Sequence, residues 1–123
     1  MVVNRRKLIY IASPYWDEDE KKRESNVLRQ REAALALIEA GFLAYWPLSS
    51  HYLASIPWCT RTEEDWLKIS CNYIPLCDGL LRLTGKSNGA DREVKLAHQL
   101  GLPIYHDLAE LLTVHPKKKG GDI

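Results

Sequence analysis

The sequence predicts a three-layer α/β/α domain of Rossmann-like (flavodoxin-like) type, built on a small parallel sheet of strand order 2-1-3-4. Short apolar runs alternate along the chain with helix-length segments, the order expected of parallel strands joined by helical crossovers. The first such run, Leu8 to Ala12, is apolar throughout, as a central strand covered on both faces must be. A polar, glycine-bearing turn, Ser87-Asn88-Gly89-Ala90-Asp91-Arg92-Glu93, then stands between a strand-like run and a helix, the place where such sheets bind ligands.

The elements follow in order. Leu8 to Ala12 forms the first strand, and Ser13-Pro14 ends it. A long helix covers Glu20 to Ala40: Val27, Arg31, Ala34, Leu35 and Ile38 trace one stripe, and Gly41 supplies a C-cap. The charged run from Asp17 to Glu24 reads as its solvated first turns. Phe42 to Trp46 is the second strand, closed by Pro47. Leu48 to Thr60 has no clear period, and irregular segments of this length are often lids or contact loops. Thr60-Arg61-Thr62-Glu63 has capping-box form and opens a helix with the stripe Trp66, Ile69, Tyr73, broken by Pro75. The third strand starts near Asp78 and includes Arg82, a charge in an apolar run that requires an anionic partner, a side-chain carboxylate in preference to a ligand phosphate. Asn88 as N-cap starts the motif helix, with Asp91 at its third position, Val94, Ala97 and Leu100 on its apolar side, and a stop at Gly101-Leu102-Pro103. Pro103-Ile104-Tyr105 is a short fourth strand, and Asp107, with Glu110 three residues on, caps the last helix. One domain spans 1–113, and 114–123, containing Lys117-Lys118-Lys119, reads as a flexible basic tail.

A net charge of +1 argues against a nucleic-acid or acidic-membrane surface, because that binding scales with clustered cationic contacts. No run approaches the ~20 apolar residues needed to span a membrane, and the amino end lacks the long apolar segment of a signal peptide. Cys59, Cys71 and Cys77 form no CxxC pair and cannot all pair internally, which fits a reducing cytoplasmic setting. His51, His98, His106 and His115 have no recognised ligand spacing, so no metal is expected. The glycine spacing matches neither a Walker loop nor a dinucleotide fingerprint, no cofactor is implied, and no GxSxG elbow supports a serine triad.

In open parallel sheets ligands collect beyond the carboxyl ends of the strands, where the winding reverses. Ser13, Pro14 and Tyr15 leave the first strand there, and Thr84 to Gly89, including Ser87, Asn88 and Gly89, leave the third. Glu93 lies four residues beyond Gly89 on the same helix face, so its carboxylate is expected to lean back over free backbone N–H groups that can also hold a phosphate or sugar oxygen. A single strong carboxylate among hydroxyls and amides suits attack at a sugar carbon. Tyr15, Trp16, Trp46, Tyr52 and Trp58 stand around this cleft; Trp16 and Trp58, in loops, are the better candidates for stacking on a base, and Trp46 is assigned to the core.

The run Ile9-Tyr10-Ile11-Ala12-Ser13-Pro14-Tyr15, the pair Cys77-Asp78, the turn Ser87-x-Gly89-x-x-x-Glu93 and Ala97 followed by Leu100-Gly101-Leu102-Pro103 together resemble the nucleoside 2-deoxyribosyltransferase superfamily. The likeness runs from about Leu8 to Tyr105 and is nearest to the short phage and bacterial members and the deoxynucleoside 5′-monophosphate N-hydrolases. The resemblance implies that Glu93 attacks the anomeric carbon and forms a glycosyl-enzyme intermediate, and that Tyr10 orients it. It implies that Ser13, Ser87 and Gly89 hold a 5′-phosphate, that Asp78 is a catalytic acid or a turn residue, and that His51 lies near the base or sugar. Where the family has an aspartate eight residues before the acidic start of the third strand, this chain has Ser70, which can hydrogen-bond but cannot carry a carboxylate's charge or shuttle its proton. Asp65 is about a turn and a half from Ser70, too far for a ready substitute.

The expected activity is therefore cleavage of the N-glycosidic bond of a nucleoside 5′-monophosphate, by hydrolysis in preference to transfer, with a small-molecule nucleotide or nucleoside as partner. A nucleotide-sensing module that keeps the pocket without turnover is the alternative that Ser70 leaves open. The resemblance also implies a homo-oligomer, with Leu48 to Thr60 completing a neighbour's site.

Overall fold

Residues of β1 (Leu8–Ala12) alternate between two cores, and that alternation fixes the layers. Ile9 and Ile11 pack on one face with Leu37 and Ala34, while Tyr10 and Ala12 pack on the other with Ala90 and Ala97. This computed structural model describes residues 5–115. The remaining elements are α1 (Glu20–Glu39), β2 (Leu43–Tyr45), α2 (Ser50–Ala54), α3 (Glu63–Cys71), β3 (Gly79–Arg82), α4 (Asn88–Gln99), β4 (Ile104–Tyr105) and α5 (Leu108–Val114). All strand pairs are parallel and the order is β2-β1-β3-β4, as the alternation of elements predicts. Helices α1 and α5 cover one face and α4 the other, giving three layers.

Four local expectations are corrected. The buried stripe of α1 is Val27, Gln30, Ala34 and Leu37, whereas Leu35 and Ile38 are exposed and Arg31 faces solvent. The period was right and its phase was displaced, because a glutamine occupies a core position. In 48–60 the chain is partly ordered into a tight turn at Pro47–Ser49 and the short helix α2. The capping box of α3 is Thr62 with Asp65, not Thr60 with Glu63: Thr62 has extended backbone and its side chain accepts the Asp65 amide, while Asp65 accepts the Thr62 amide. Tyr73 then falls beyond the helix end.

Helix α4 is capped by Ser87, not Asn88. Ser87 is extended (φ −160°, ψ 116°) and its hydroxyl accepts the Ala90 amide at 3.0 Å. Asp91 is thereby the fourth helical residue and pairs with Arg82 at 3.2 Å, supplying the carboxylate that the strand arginine required. Val114 closes α5, and His115 caps it and hydrogen-bonds the Tyr105 hydroxyl; Lys117-Lys118-Lys119 lies outside the described residues.

Candidate active site

The cleft forms because β1 and β3 are adjacent while their following segments turn to opposite faces, one into α1 and the other into α4. A cavity of about 460 Å³ opens there, in the range of small-molecule sites. Ser13, Pro14 and Tyr15 line it from the end of β1; Ser87, Asn88, Gly89 and Glu93 line it from α4; and His51 and Ser70 line it from α2 and α3. The two segments after β1 and β3 are in contact. Gly85 has φ +123°, and a Cβ there would meet Pro14 Cγ at 2.7 Å, so the turn after β3 can hold only glycine where it crosses Pro14.

Glu93 is 6% exposed, and the Tyr10 hydroxyl donates a hydrogen bond to its Oε2. This differs from the expected arrangement, in which the carboxylate leaned over the helix's own amides. Capping by Ser87 puts Glu93 deeper in α4, facing the sheet, where Tyr10 rises from the middle of β1. Burial pushes the Glu93 carboxyl up to about 7, opposed by the Tyr10 hydrogen bond and by the positive charge of Arg82. Burial and the neighbouring Glu93 drive the Tyr10 phenol far above its ordinary range, so Tyr10 acts as a fixed donor and not as an acid. Tyr10 in turn packs against Tyr45, which stacks on Tyr73 at 4.2 Å.

At the start of α4, Ser87 accepts the Ala90 amide with its hydroxyl and the Asp91 amide with its carbonyl. The amides of Asn88 and Gly89 precede the intrahelical ladder and stand at the positive helix end, beside the cavity. Lys86, exposed and lining the same wall, adds a cation that the sequence reading did not single out. Across the mouth, Arg92 clasps Glu64 through two hydrogen bonds of 2.8 and 2.9 Å, tying α4 to α3.

On the other wall the decisive residue is Gln30, 1% exposed. Its Nε2 donates to the Ser13 hydroxyl at 2.8 Å and to the Ile11 carbonyl at 3.3 Å, and its Oε1 accepts the Leu48 amide at 2.8 Å. One side chain therefore fixes both the Ser13 turn and the entry to the 48–60 segment. A polar residue in phase with an apolar helical stripe was the available signal. Gln30→Leu leaves the Leu48 amide and the Ser13 hydroxyl without these partners, and a loss of about 2–3 kcal/mol in urea unfolding is expected; a change under ~0.5 kcal/mol would show that water replaces both bonds.

Asp78 is not brought to the cleft. It lies at the opposite, amino-terminal end of β3, where it accepts the Leu8 amide at 2.7 Å and pairs with Arg5 at 3.0 Å. Ser70, by contrast, is buried and lines the cavity. Asp65 is engaged in the cap of α3, while Glu63 reaches the cavity from the helix start. Among the aromatics, Trp16 lines the cavity and carries Arg23 over its ring at 4.7 Å, Trp46 packs on the core, and Trp58 is 82% exposed and away from the cavity.

No protein-family model and no curated protein matches this sequence. Among solved structures, the fold is similar to that of a 2-deoxyribosyltransferase from the psychrotolerant bacterium Bacillus psychrosaccharolyticus, with a TM-score of 0.57 and 19% identity over 85% of this chain and 78% of the other. The likeness shows a shared α/β architecture.

Proposed function

We propose that the protein cleaves the N-glycosidic bond of a nucleoside 5′-monophosphate, with Glu93 as nucleophile and a glycosyl-enzyme intermediate. The observation that carries this reading is a buried carboxylate held by Tyr10 at a nucleotide-sized cavity that Ser13, Lys86, Ser87 and the first residues of α4 also line. Those donors suit a phosphate, and the helical turn between the start of α4 and Glu93 leaves room for the intervening sugar. The resemblance of the site motifs and the similarity in fold to a 2-deoxyribosyltransferase support the same chemistry. Water is the preferred acceptor in this reading, because the cavity is small for a second base alongside the first.

We also propose a reducing, cytoplasmic setting, which three free cysteines support, and a homo-oligomer, which the family resemblance and the exposed Tyr52, Leu53 and Trp58 of the 50–58 segment support. Among the described residues no helix is long and apolar enough to cross a membrane. The test is incubation with a panel of nucleosides and nucleoside monophosphates, ribo and deoxy, read by chromatography of free base. Release from monophosphates that vanishes in Glu93→Ala is expected. Saturable binding of a monophosphate with no release would instead support the sensor that Ser70 leaves open.

A further inference from the structure

A glycosidic bond to a nucleobase breaks readily only when the departing nitrogen receives a proton, and Ser70 lines the cavity at the position where the family resemblance implies a carboxylic acid. Another group on the cavity wall has the required chemistry. The Tyr15 hydroxyl lies 2.8 Å from His51 Nδ1, and His51 Nε2 lies 2.8 Å from Glu24 Oε1. Tyr15 and His51 both line the cavity, whereas Glu24 stands behind them on α1. Tyr15 is further fixed by Asn26, whose side-chain amide donates to the Tyr15 carbonyl at 3.0 Å. Three residues, from the turn after β1, from α1 and from α2, thus converge into a chain that no backbone requirement explains, since none of these hydrogen bonds caps a helix or completes a sheet.

We propose that Tyr15, His51 and Glu24 form a proton relay serving the departing base and then the incoming water; the assignment rests on the glycosidase reading above. Glu24 can only accept, so His51 holds a proton on Nε2. In the charged state of the relay His51 also carries a proton on Nδ1 and donates it to the Tyr15 oxygen, freeing the phenolic proton for the substrate. In the first step the C1′–N bond breaks with its electron pair going to the base, the base nitrogen takes the Tyr15 proton, Tyr15 is reprotonated from His51 Nδ1, and Glu93 forms the bond to C1′. In the second step water attacks C1′, the bond to Glu93 breaks, and the water proton passes through Tyr15 to His51 Nδ1. One proton leaves the relay and one returns, so the cycle closes with water as the only other reactant. Glu24 accepts the Nε2–H hydrogen bond throughout and stabilises the imidazolium before the first step and after the second. Tyr15 is the group that meets the substrate; His51 and Glu24 act through it.

The other charged groups at the relay are Arg23 and Glu63, both close enough to act on Tyr15, and Tyr52 lies against the His51 ring. Glu63 is the rival acid to test, because it lines the cavity and burial raises its carboxyl above the ordinary range, whereas Glu64 on the same wall is held by Arg92.

The test compares a natural deoxynucleoside monophosphate with 4-nitrophenyl 2-deoxyriboside 5-phosphate, whose leaving group departs without a proton. Tyr15→Phe and His51→Gln are expected to slow release of the natural base by ~100-fold or more, while the first-turnover burst of nitrophenolate stays within about threefold of the unaltered protein. Glu24→Gln should show the same pattern with a smaller loss. Equal losses on both substrates would make these residues structural and overturn the proposal. So would the selective pattern appearing in Glu63→Gln and not in Tyr15→Phe. If the unaltered protein gives neither base nor nitrophenolate, the glycosidase reading itself fails and the relay falls with it.

Discussion

Replacing Glu93 by glutamine is expected to abolish base release and, above neutral pH, to make the folded chain more stable. In the proposed mechanism the substitution removes the nucleophile and with it the covalent route, and a fall of roughly four to six orders of magnitude in kcat is the expected scale. The stability gain follows from the same burial that positions the carboxylate. Glu93 titrates near 7 in the folded chain against an ordinary value of 4.5, so between those limits the folded state holds a proton that the unfolded state has already released. Stability therefore falls as pH rises through that window, and the full penalty is present above about 7. At ~1.4 kcal/mol for each pH unit of displacement, the charged carboxylate costs about 3 kcal/mol. Glutamine cannot ionise, yet its carbonyl can still accept the Tyr10 hydrogen bond. Urea unfolding of the two proteins should agree within ~0.5 kcal/mol at pH 4.5 and diverge by about 2–3 kcal/mol, in favour of the variant, at pH 8.5. A variant that is less stable at both pH values would mean that the carboxylate is a structural anchor of α4 and not a strained functional group.

How far the site could be read from residues depended on what held each one in place. Glu93, Ser13, Ser87, Gly89 and Tyr15 reach the cavity because the order of parallel strands brings the ends of β1 and β3 together, His51 joins them from the segment after the neighbouring β2, and that order follows from alternating apolar runs. Long-range side-chain pairing has no such local signature. Gln30 was hidden because its α1 stripe was phased on Leu35 and Ile38, and apolar residues are common on surfaces. Glu24 was read as part of a solvated charge run, since only the folded chain brings it 2.8 Å from His51, 27 residues away. Asp78 is the opposite case. The resemblance implies a catalytic acid or a turn residue, and strand polarity decides for the second, sending it to the end of the sheet away from the cavity, where it satisfies the first amide of β1. The cap residues were misplaced by one or two positions because adjacent Ser, Asn and Thr all have the right chemistry, and only the backbone angles decide among them.

Tyr10→Phe tests whether the phenol tunes the nucleophile or merely fills the core. The substitution removes the hydroxyl from a fully buried ring and leaves the apolar packing against Tyr45 and Ala12 nearly unchanged. Glu93 then loses the hydrogen bond that favours its ionised form, while the burial that opposes ionisation remains. Its titration must move up, and the ionised fraction at neutral pH must drop. Because the proposed attack on C1′ requires the carboxylate, kcat/KM is expected to rise with pH along the limb set by Glu93; in the variant that limb is expected ~1–2 pH units higher, with a loss of ~5–50-fold at pH 7 that narrows toward pH 9. In stability the variant should lose about 1–3 kcal/mol, since a buried carboxyl oxygen is left without its donor. The double-mutant cycle with Glu93→Gln separates the two roles: if the hydroxyl acts through Glu93, its removal has a different energetic consequence in the glutamine background than in the glutamate one. A uniform loss of activity at every pH, with the limb unmoved and no coupling in the cycle, would place Tyr10 in the packing alone and leave Arg82 as the group that keeps Glu93 able to ionise.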